Sequence, residues 1–223
     1  MKYATIIIIL ILFGAIFAYA VWINKYKSLP TPSEAQPVPD ITAIPAETAS
    51  PPSGQDNIEA GKLVEPVKDF KSRITKKPFG IYISPQTSPV QPEKFTGYHT
   101  GADAEYSDIL EDTPVYAISK GTVEYRGLVN GYGGVLVIKH EIDGQKILVL
   151  YGHLRKSSMA AKDTTLNTND QIAVLGKDKS AETDGERKHL HLGMIKDDKI
   201  DFRGYVQSEI ELSEWYNPID FHQ

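Results

Sequence analysis

The chain has 223 residues, 41% of them hydrophobic, and a formal net charge of -5. This length and hydrophobic content are typical of one folded domain with appendages. The absence of cysteine excludes disulfide bonds and thiolate zinc sites, and the negative charge excludes a general basic surface for nucleic acid.

The first predicted element is an apolar segment, residues 4–23, which as a helix is about long enough to cross a bilayer. A membrane anchor is favoured because residues 21–23 continue the apolar run. A cleaved signal peptide is the alternative, since Lys2 gives a basic start and residues 18–20, Ala-Tyr-Ala, resemble a cleavage site. In either case residues 1–27 direct the rest of the chain out of the cytoplasm, and we expect it in the cell envelope.

Residues 28–78 are predicted to be a disordered linker. Residues 28–66 hold eight of the 14 prolines and few large apolar side chains, so they cannot bury enough surface to offset the entropy of ordering. Residues 67–77 carry four lysines and one arginine, which favours a solvated approach to the domain; contact with an anionic wall polymer or lipid headgroups is the alternative. The folded domain is then predicted to comprise residues 79–223.

This domain is predicted to be all-β and antiparallel, with two packed sheets in a sandwich-like arrangement, because short strands alternate with glycine turns. The predicted strands are residues 80–84, 115–118, 121–126, 134–140, 146–153, 171–175 and 189–195. Asp143-Gly144 is a strong hairpin signal between two of these strands. Both strands are apolar on their two faces, which predicts a sheet that is covered on both sides.

Four of the six histidines lie in three short motifs. His189 and His191 are two residues apart, so in a strand both imidazoles project from one face. His99 and Asp103 add an imidazole and a carboxylate that a turn at the intervening glycine could bring together, and His153 ends a predicted strand. Hydrolytic zinc sites use three such N and O ligands and leave a fourth position for water. The three motifs together predict a metal site.

The remaining histidines and two tyrosines of the motifs are predicted to have structural roles. His140 and His222 match no motif and are expected to be structural or exposed. Tyr98 and Tyr151 are expected to be core aromatics, with a hydroxyl directed at a developing oxyanion as the alternative.

The three motifs, residues 97–103, 151–154 and 189–191, resemble those of the lysostaphin-type zinc endopeptidases, also called LytM-domain peptidases, which cut the peptides of bacterial peptidoglycan. The resemblance spans roughly residues 80–221. Residues 184–188, Asp-Gly-Glu-Arg-Lys, depart from the family pattern, which often has a small residue or proline before the histidine pair.

The resemblance implies zinc ligands at His99, Asp103 and His191, and two further histidines, His153 and His189, that carry protons during peptide-bond hydrolysis. Zinc would lower the pKa of a bound water and polarise the scissile carbonyl. The implied partners are a peptidoglycan peptide and, through the N-terminal segment, a membrane.

Two alternatives stay open. A non-catalytic wall-binding or hydrolase-activating module of the same fold would need no metal. A D-alanyl-D-alanine-type zinc peptidase would use Glu186, three residues before His189, as its base.

Overall fold

The structure is a computed structural model that describes residues 63–221. Within this range the chain is mostly β, and every pair of neighbouring strands is antiparallel, as predicted. The strands are β1 (Tyr82–Ile83), β2 (Gly97–His99), β3 (Gly101–Glu105), β4 (Pro114–Tyr116), β5 (Gly121–Val129), β6 (Gly133–Ile142), β7 (Gln145–Leu154), β8 (Thr165–Leu166), β9 (Gln171–Val174), β10 (His189–Ile195), β11 (Tyr205–Val206) and β12 (Trp215–Tyr216). The helix α1 is Glu209–Leu212, and 3₁₀ turns form at Lys71–Arg73, Lys156–Ser158, Ala181–Thr183 and Pro218–Phe221.

A seven-stranded sheet forms the centre: six strands have the order β12-β10-β7-β6-β5-β8, and the seventh, β3, pairs with β10. β7 lies along one edge of β10, and β3 and β12 share the other edge. The hairpin from β6 to β7 turns at Asp143 and Gly144, whose φ angles of 48° and 75° are both left-handed, as a type I′ turn requires. The predicted hairpin is therefore confirmed.

The central sheet is apolar on both faces because alternate side chains of its long strands point in opposite directions. On one face, Leu136 and Leu192 pack against the small sheet β4-β9, which contributes Ile172 and Ala173. On the other face, Leu150 packs with residues of β11 and β12, and the three-stranded sheet β1-β2-β11 covers it. The predicted cover on both sides is confirmed, but two small sheets provide it, in place of the one partner sheet of a two-sheet sandwich.

The core extends N-terminal of Phe79, where composition placed the start of the domain. Val67 and Phe70 are 0% exposed and belong to the core on the β4-β9 face. The backbone is also paired there, since the Tyr116 amide donates to the carbonyl of Pro66 over 2.8 Å. This packing needs only two apolar side chains among several charged ones. Because the charged residues dominate the composition of residues 67–77, composition alone predicted that the segment is solvated.

Several predictions concern residues outside the described range. These are the anchor or signal at residues 1–27, the linker as far as residue 62, and His222. Among residues 63–221, no helix has the length and hydropathy that crossing a bilayer requires.

Candidate metal centre

The strand pair β3 and β10 brings two of the predicted ligands together. In this antiparallel pair Asp103 lies opposite His191, and Glu105 lies opposite His189. The sequence placed His99 and Asp103 on one turn, but the structure puts them on two strands in different sheets. His99 ends β2 in the covering sheet, and Asp103 lies within β3 of the central sheet. The site is therefore built between the two layers.

Three donor atoms meet at this junction. His99 Nε2 lies 3.1 Å from His191 Nδ1, His191 Nδ1 lies 3.0 Å from Asp103 Oδ1, and His99 Nε2 lies 3.3 Å from Asp103 Oδ1. Ligand atoms at about 2.0–2.1 Å from a tetrahedral zinc are separated by about 3.3 Å, so this triangle fits three corners of such a site. All three side chains are buried, and the described part of the chain contains no other group of His, Asp and Glu that could hold a metal ion.

Each ring is oriented by a partner on its far side. His99 Nδ1 faces the carbonyl oxygen of Pro78 at 3.2 Å, so Nδ1 carries the hydrogen and the Nε2 lone pair points at the junction. His191 Nε2 lies 3.4 Å from the hydroxyl of Tyr132. Hydrogen-bond partners on the far side of a ring set its orientation and tautomer in metal sites. The backbone of Asp103 is also held, since its amide donates to the carbonyl of Lys77 over 3.0 Å.

The second oxygen of Asp103 has its own partner. Arg187 Nη2 donates to Asp103 Oδ2 over 2.8 Å, and the same guanidinium binds Glu105. Burial alone would raise the pKa of Asp103. The nearby side chains of His99 and His189 and a hydrogen bond from His191 lower the pKa by more than burial raises it. The pKa of Asp103 is thus held well below its usual range, and the carboxylate stays charged.

The two remaining predicted residues, His153 and His189, lie side by side. Their ring centroids are 4.0 Å apart. His189 Nδ1 donates to the carbonyl of Arg187 over 2.8 Å, and His153 Nδ1 donates to the carbonyl of Thr183 over 3.3 Å. Each Nε2 is therefore the proton acceptor of its ring. Burial lowers the pKa of His153 to about 3 and lowers the pKa of His189 well below its usual value, so both rings are neutral at neutral pH.

A β-bulge places His153 on this face. Between β6 and β7, Gly134 pairs with Leu154 and Leu136 pairs with Tyr151, so one residue of β6 opposes two of β7. Without the bulge, His153 would alternate onto the face of Tyr151, on the far side of the sheet. The left-handed φ of 61° at His153 belongs to this irregularity, which turns the imidazole toward His189.

A cleft of about 330 Å³ opens next to the junction. Asp103, His153, His189 and His191 form part of its lining. The rest of the wall includes the aromatic residues Phe95, Tyr132, Phe202 and Tyr205 and the charged residues Lys77, Glu186, Arg187 and Arg203. All five site residues named from the sequence thus lie together, four of them on the wall of the cleft and His99 in contact with two of those four, Asp103 and His191.

Glu186, the alternative base, is oriented differently. Its carboxylate lies 3.6 Å from Lys94 Nζ in a partly exposed ion pair. It also lines the cleft, yet it is not part of the group of donors that could hold a metal.

The two tyrosines next to the motifs do not face the site. The Tyr151 hydroxyl lies in the core on the opposite face, 2.8 Å from His140 Nε2, and Tyr98 directs its hydroxyl toward Glu209 over 3.4 Å. His140 is structural, since its Nδ1 donates to the carbonyl of Ser119 over 2.8 Å.

Sequence reasoning missed four residues that do contact the site: Lys77, Tyr132, Arg187 and Tyr205. Arg187 had a local signal, because it precedes His189 by two residues and so shares its face when the strand pairing continues. Lys77, Tyr132 and Tyr205 lie in loops or on a short edge strand, where no periodicity indicates direction.

Residues 97–202 match the model of peptidase family M23. No protein of curated function matches the chain. Solved structures similar to this chain include LytU (22% identity over 75% of this chain and 88% of that chain, TM-score 0.43), Csd3 from Helicobacter pylori (26% identity over 69% and 40%, TM-score 0.42) and the SpoIIQ-SpoIIIAH pore forming complex (19% identity over 72% and 90%, TM-score 0.46).

The matched segment contains all five histidine and aspartate residues of the site and the strands β2, β3, β7 and β10 that carry them. Residues 97–202 therefore correspond to a LytM-type peptidase domain, and they match the model of peptidase family M23.

Proposed function

We propose that this chain is a zinc-dependent endopeptidase that hydrolyses peptide bonds of bacterial peptidoglycan. The observation that carries the proposal is the triangle of donor atoms from His99, Asp103 and His191, with edges of 3.0–3.3 Å, beside two neutral histidines in an open cleft. A purely structural cluster would need neither three potential metal-binding atoms at one point nor the opening next to them.

The donor set of two imidazoles and one carboxylate suits zinc in a hydrolytic site. A zinc ion bound by these three residues would polarise the scissile carbonyl and make a water molecule acidic enough to attack near neutral pH. The negative charge of Asp103 is preserved at this position because its pKa lies well below the usual range.

His153 and His189 would move the protons of the reaction. Both are neutral because burial lowers the pKa of each, so Nε2 of either ring can accept a proton from the attacking water. With ring centroids 4.0 Å apart, a charge on one ring opposes a charge on the other, so the pair carries one proton at a time. The protonated ring can then donate to the departing amine.

The cleft is suited to a peptide segment, since its lining combines aromatic side chains, among them Phe95 and Phe202, with polar groups. Peptidoglycan lies outside the cytoplasm, so the proposal includes export of the domain. Residues 4–23 would provide it, as an anchor or as a cleaved signal, and the proline-rich segment would tether the domain to the membrane if the segment is retained.

The two alternatives have less support. A non-catalytic module would not need His153 turned into the cleft by a bulge. A glutamate base would need Glu186 free to approach the junction, but its carboxylate is paired with Lys94.

The test is hydrolysis of defined muropeptides by the purified full chain, with zinc content measured on the same sample and the products identified by mass spectrometry. We expect one zinc per chain and a released peptide, with Asp103→Ala losing both. Asp112→Ala is the matched control, because Asp112 is an exposed carboxylate paired with Arg155. A parent that holds zinc and releases no product would favour the non-catalytic module, and full zinc in Asp103→Ala would refute the ligand assignment.

A further inference from the structure

A buried ion network lies directly behind the candidate metal centre. Arg187 donates from Nη2 to Asp103 Oδ2 over 2.8 Å and to Glu105 Oε1 over 2.7 Å, and from Nε to Glu105 Oε2 over 2.8 Å. Arg187 is 8% exposed, Asp103 2% and Glu105 9%. An arginine with so little contact to water takes its orientation from its two carboxylate partners.

Strand register explains why the cation lies between these two carboxylates. Asp103 and Glu105 are two apart in β3 and share its metal face. The pairing with β10 continues one step beyond His189, since the amide of Tyr106 donates to the carbonyl of Lys188 over 2.9 Å. Arg187 therefore follows His191 and His189 along the same face and reaches both acidic side chains.

The charges of the network leave the junction suited to a cation. The guanidinium of Arg187 and the carboxylates of Asp103 and Glu105 sum to one negative charge, which is the charge that Asp103 has by itself. A further cation, Lys76, lies with its Nζ 3.4 Å from Glu105 Oε2, but its side chain is 44% exposed and water screens its charge. Glu105 thus offsets the positive charge that Arg187 brings next to the ligands. Arg187 can hold an oxygen of Asp103 without cancelling the attraction of the site for a metal ion.

The two oxygens of Asp103 have separate partners as a result. Oδ1 faces His191 Nδ1 at 3.0 Å and His99 Nε2 at 3.3 Å, whereas Oδ2 accepts from Arg187 over 2.8 Å and lies 3.4 Å from His189 Nε2. If both oxygens were free to ligate, the carboxylate could occupy the coordination position that a catalytic zinc site leaves open for water.

We propose that Arg187, held in place by Glu105, is a positioning residue that makes Asp103 bind the metal through Oδ1 alone. The inference rests on the proposed zinc function and extends it to two residues outside the five of the motifs. Arg187 lies on the wall of the cleft, but its guanidinium donates to Asp103 and Glu105, so it acts through the carboxylate of Asp103.

The adjacent residue supplies a matched control. Lys188 is also a buried cation, but its partners are not Asp103 and Glu105. Its Nζ donates to the carbonyls of Ile109 and Glu111 over 2.9 and 2.6 Å. Lys188→Met and Arg187→Met each remove one buried positive charge from the same stretch of chain. Only Arg187→Met frees an oxygen of Asp103.

The first measurement is the zinc affinity of the metal-free full chain, by competition with a chromophoric chelator. Loss of a residue that orients a ligand weakens metal binding by about 10- to 100-fold, which is the result expected for Arg187→Met. Arg187→Lys keeps the charge but cannot bridge both carboxylates in the same way. Its zinc affinity should therefore lie between that of the parent and that of Arg187→Met. Lys188→Met should stay within about threefold of the parent. Parent affinity in Arg187→Met would overturn the proposal.

The second measurement is the visible spectrum of the cobalt(II)-loaded protein, in which band intensity falls as coordination number rises. We expect weaker bands for Arg187→Met, because Asp103 can then use both oxygens, and parent intensity for Lys188→Met. Parent intensity in Arg187→Met would contradict ligation through one oxygen. Circular dichroism of the metal-free variants separates these effects from loss of fold, and Glu105→Gln gives a second variant if Arg187→Met does not fold.

Glu105 is tested through a double-mutant cycle. Glu105→Gln should weaken zinc binding in the parent, because the charge of Arg187 is then uncompensated, and should have no such effect in Arg187→Met. Additive losses would overturn the linkage between the two residues. A parent that binds zinc without hydrolysing peptides would refute only the catalytic proposal, because the affinity and spectral series still decide the role of Arg187.

Discussion

The imidazole rings of His153 and His189 lie with their centroids 4.0 Å apart, although the two residues come from different strands and His153 needs a bulge to reach this face. Backbone carbonyls accept from both Nδ1 atoms, so each Nε2 is left as the proton acceptor of its ring, and both residues line the cleft. Neither Nε2 belongs to the triangle of metal donors. The pair is arranged for proton transfer next to a metal rather than for holding it.

We expect His153→Ala and His189→Ala each to keep one zinc per chain and to lose hydrolysis by about 10²- to 10⁴-fold, the usual effect of removing a general acid or base. The measurement is the hydrolysis rate of a defined muropeptide together with zinc content. Loss of zinc in either variant would show that the histidine also serves as a ligand.

Glu186→Gln is the control for the choice of base. Because the Glu186 carboxylate is paired with Lys94, we expect the rate to stay within about threefold of the parent, which corresponds to less than about 0.7 kcal/mol in the barrier. An inactive Glu186→Gln beside an active His153→Ala would replace the two-histidine mechanism with the glutamate base.

Gly101 provides a test of the ligand geometry in which no ligand is removed. A Cβ atom at Gly101 would lie 2.6 Å from Cε1 and Nε2 of His191 and from the carbonyl oxygen of Leu192, too close for the ring and its strand to keep their places. We expect Gly101→Ala to weaken zinc binding measurably and to lower the free energy of unfolding by about 1–3 kcal/mol. Chelator competition and urea unfolding measure the two effects.

Gly193 is the matched control, since it lies directly opposite Gly101 in the strand pair. A Cβ atom there would have its nearest contact at 3.4 Å, also with His191 Nε2. Gly193→Ala should therefore bind zinc more tightly than Gly101→Ala. Equal affinities would show that the ring of His191 and the adjoining part of β10 can move without weakening the site.

The N-terminal limit of the domain can be tested by truncation. A chain of residues 79–223 lacks Val67 and Phe70, both 0% exposed, and burial of side chains of this size contributes about 1.5–3 kcal/mol each. We expect it to be at least about 3 kcal/mol less stable to urea than residues 63–223. It also lacks the carbonyls of Lys77 and Pro78 that bind Asp103 and His99, so zinc binding should weaken.

The control for the truncation is the full chain, whose unfolding should match that of residues 63–223. If residues 79–223 unfold at the same urea concentration as the longer chains, the packing of residues 67–78 contributes nothing to stability.

His140 makes stability depend on pH from a position remote from the metal ligands. Burial lowers its pKa to about 4 from 6.5, against two opposing backbone hydrogen bonds. The unfolded chain therefore takes up the proton first, so the contribution of neutral His140 is complete above about pH 6.5 and is lost as the pH falls to about 4. The loss is about 3 kcal/mol.

We expect His140→Gln, which cannot be protonated, to lose about 3 kcal/mol less stability than the parent between pH 7 and pH 4. The other histidines are common to both proteins, so the difference in unfolding free energy isolates His140. Parallel pH profiles would contradict a buried neutral imidazole at this position.

The sequence by itself determined which residues could form the site and several of the strands that carry them. Two histidines two apart must share a face of a strand, and Asp143-Gly144 must turn left-handed in a short hairpin, because these are consequences of local backbone geometry. The five residues proposed for the site follow from such local motifs and from a family resemblance.

Tertiary structure alone decided how those residues meet. The bulge that turns His153, the separation of His99 and Asp103 onto two sheets, and the place of Arg187 between Asp103 and Glu105 all depend on register between strands distant in sequence. The burial of Val67 and Phe70 likewise depends on a core that those two side chains only help to complete. Periodicity and composition describe a segment by itself, whereas register and burial are properties of the segments packed against it.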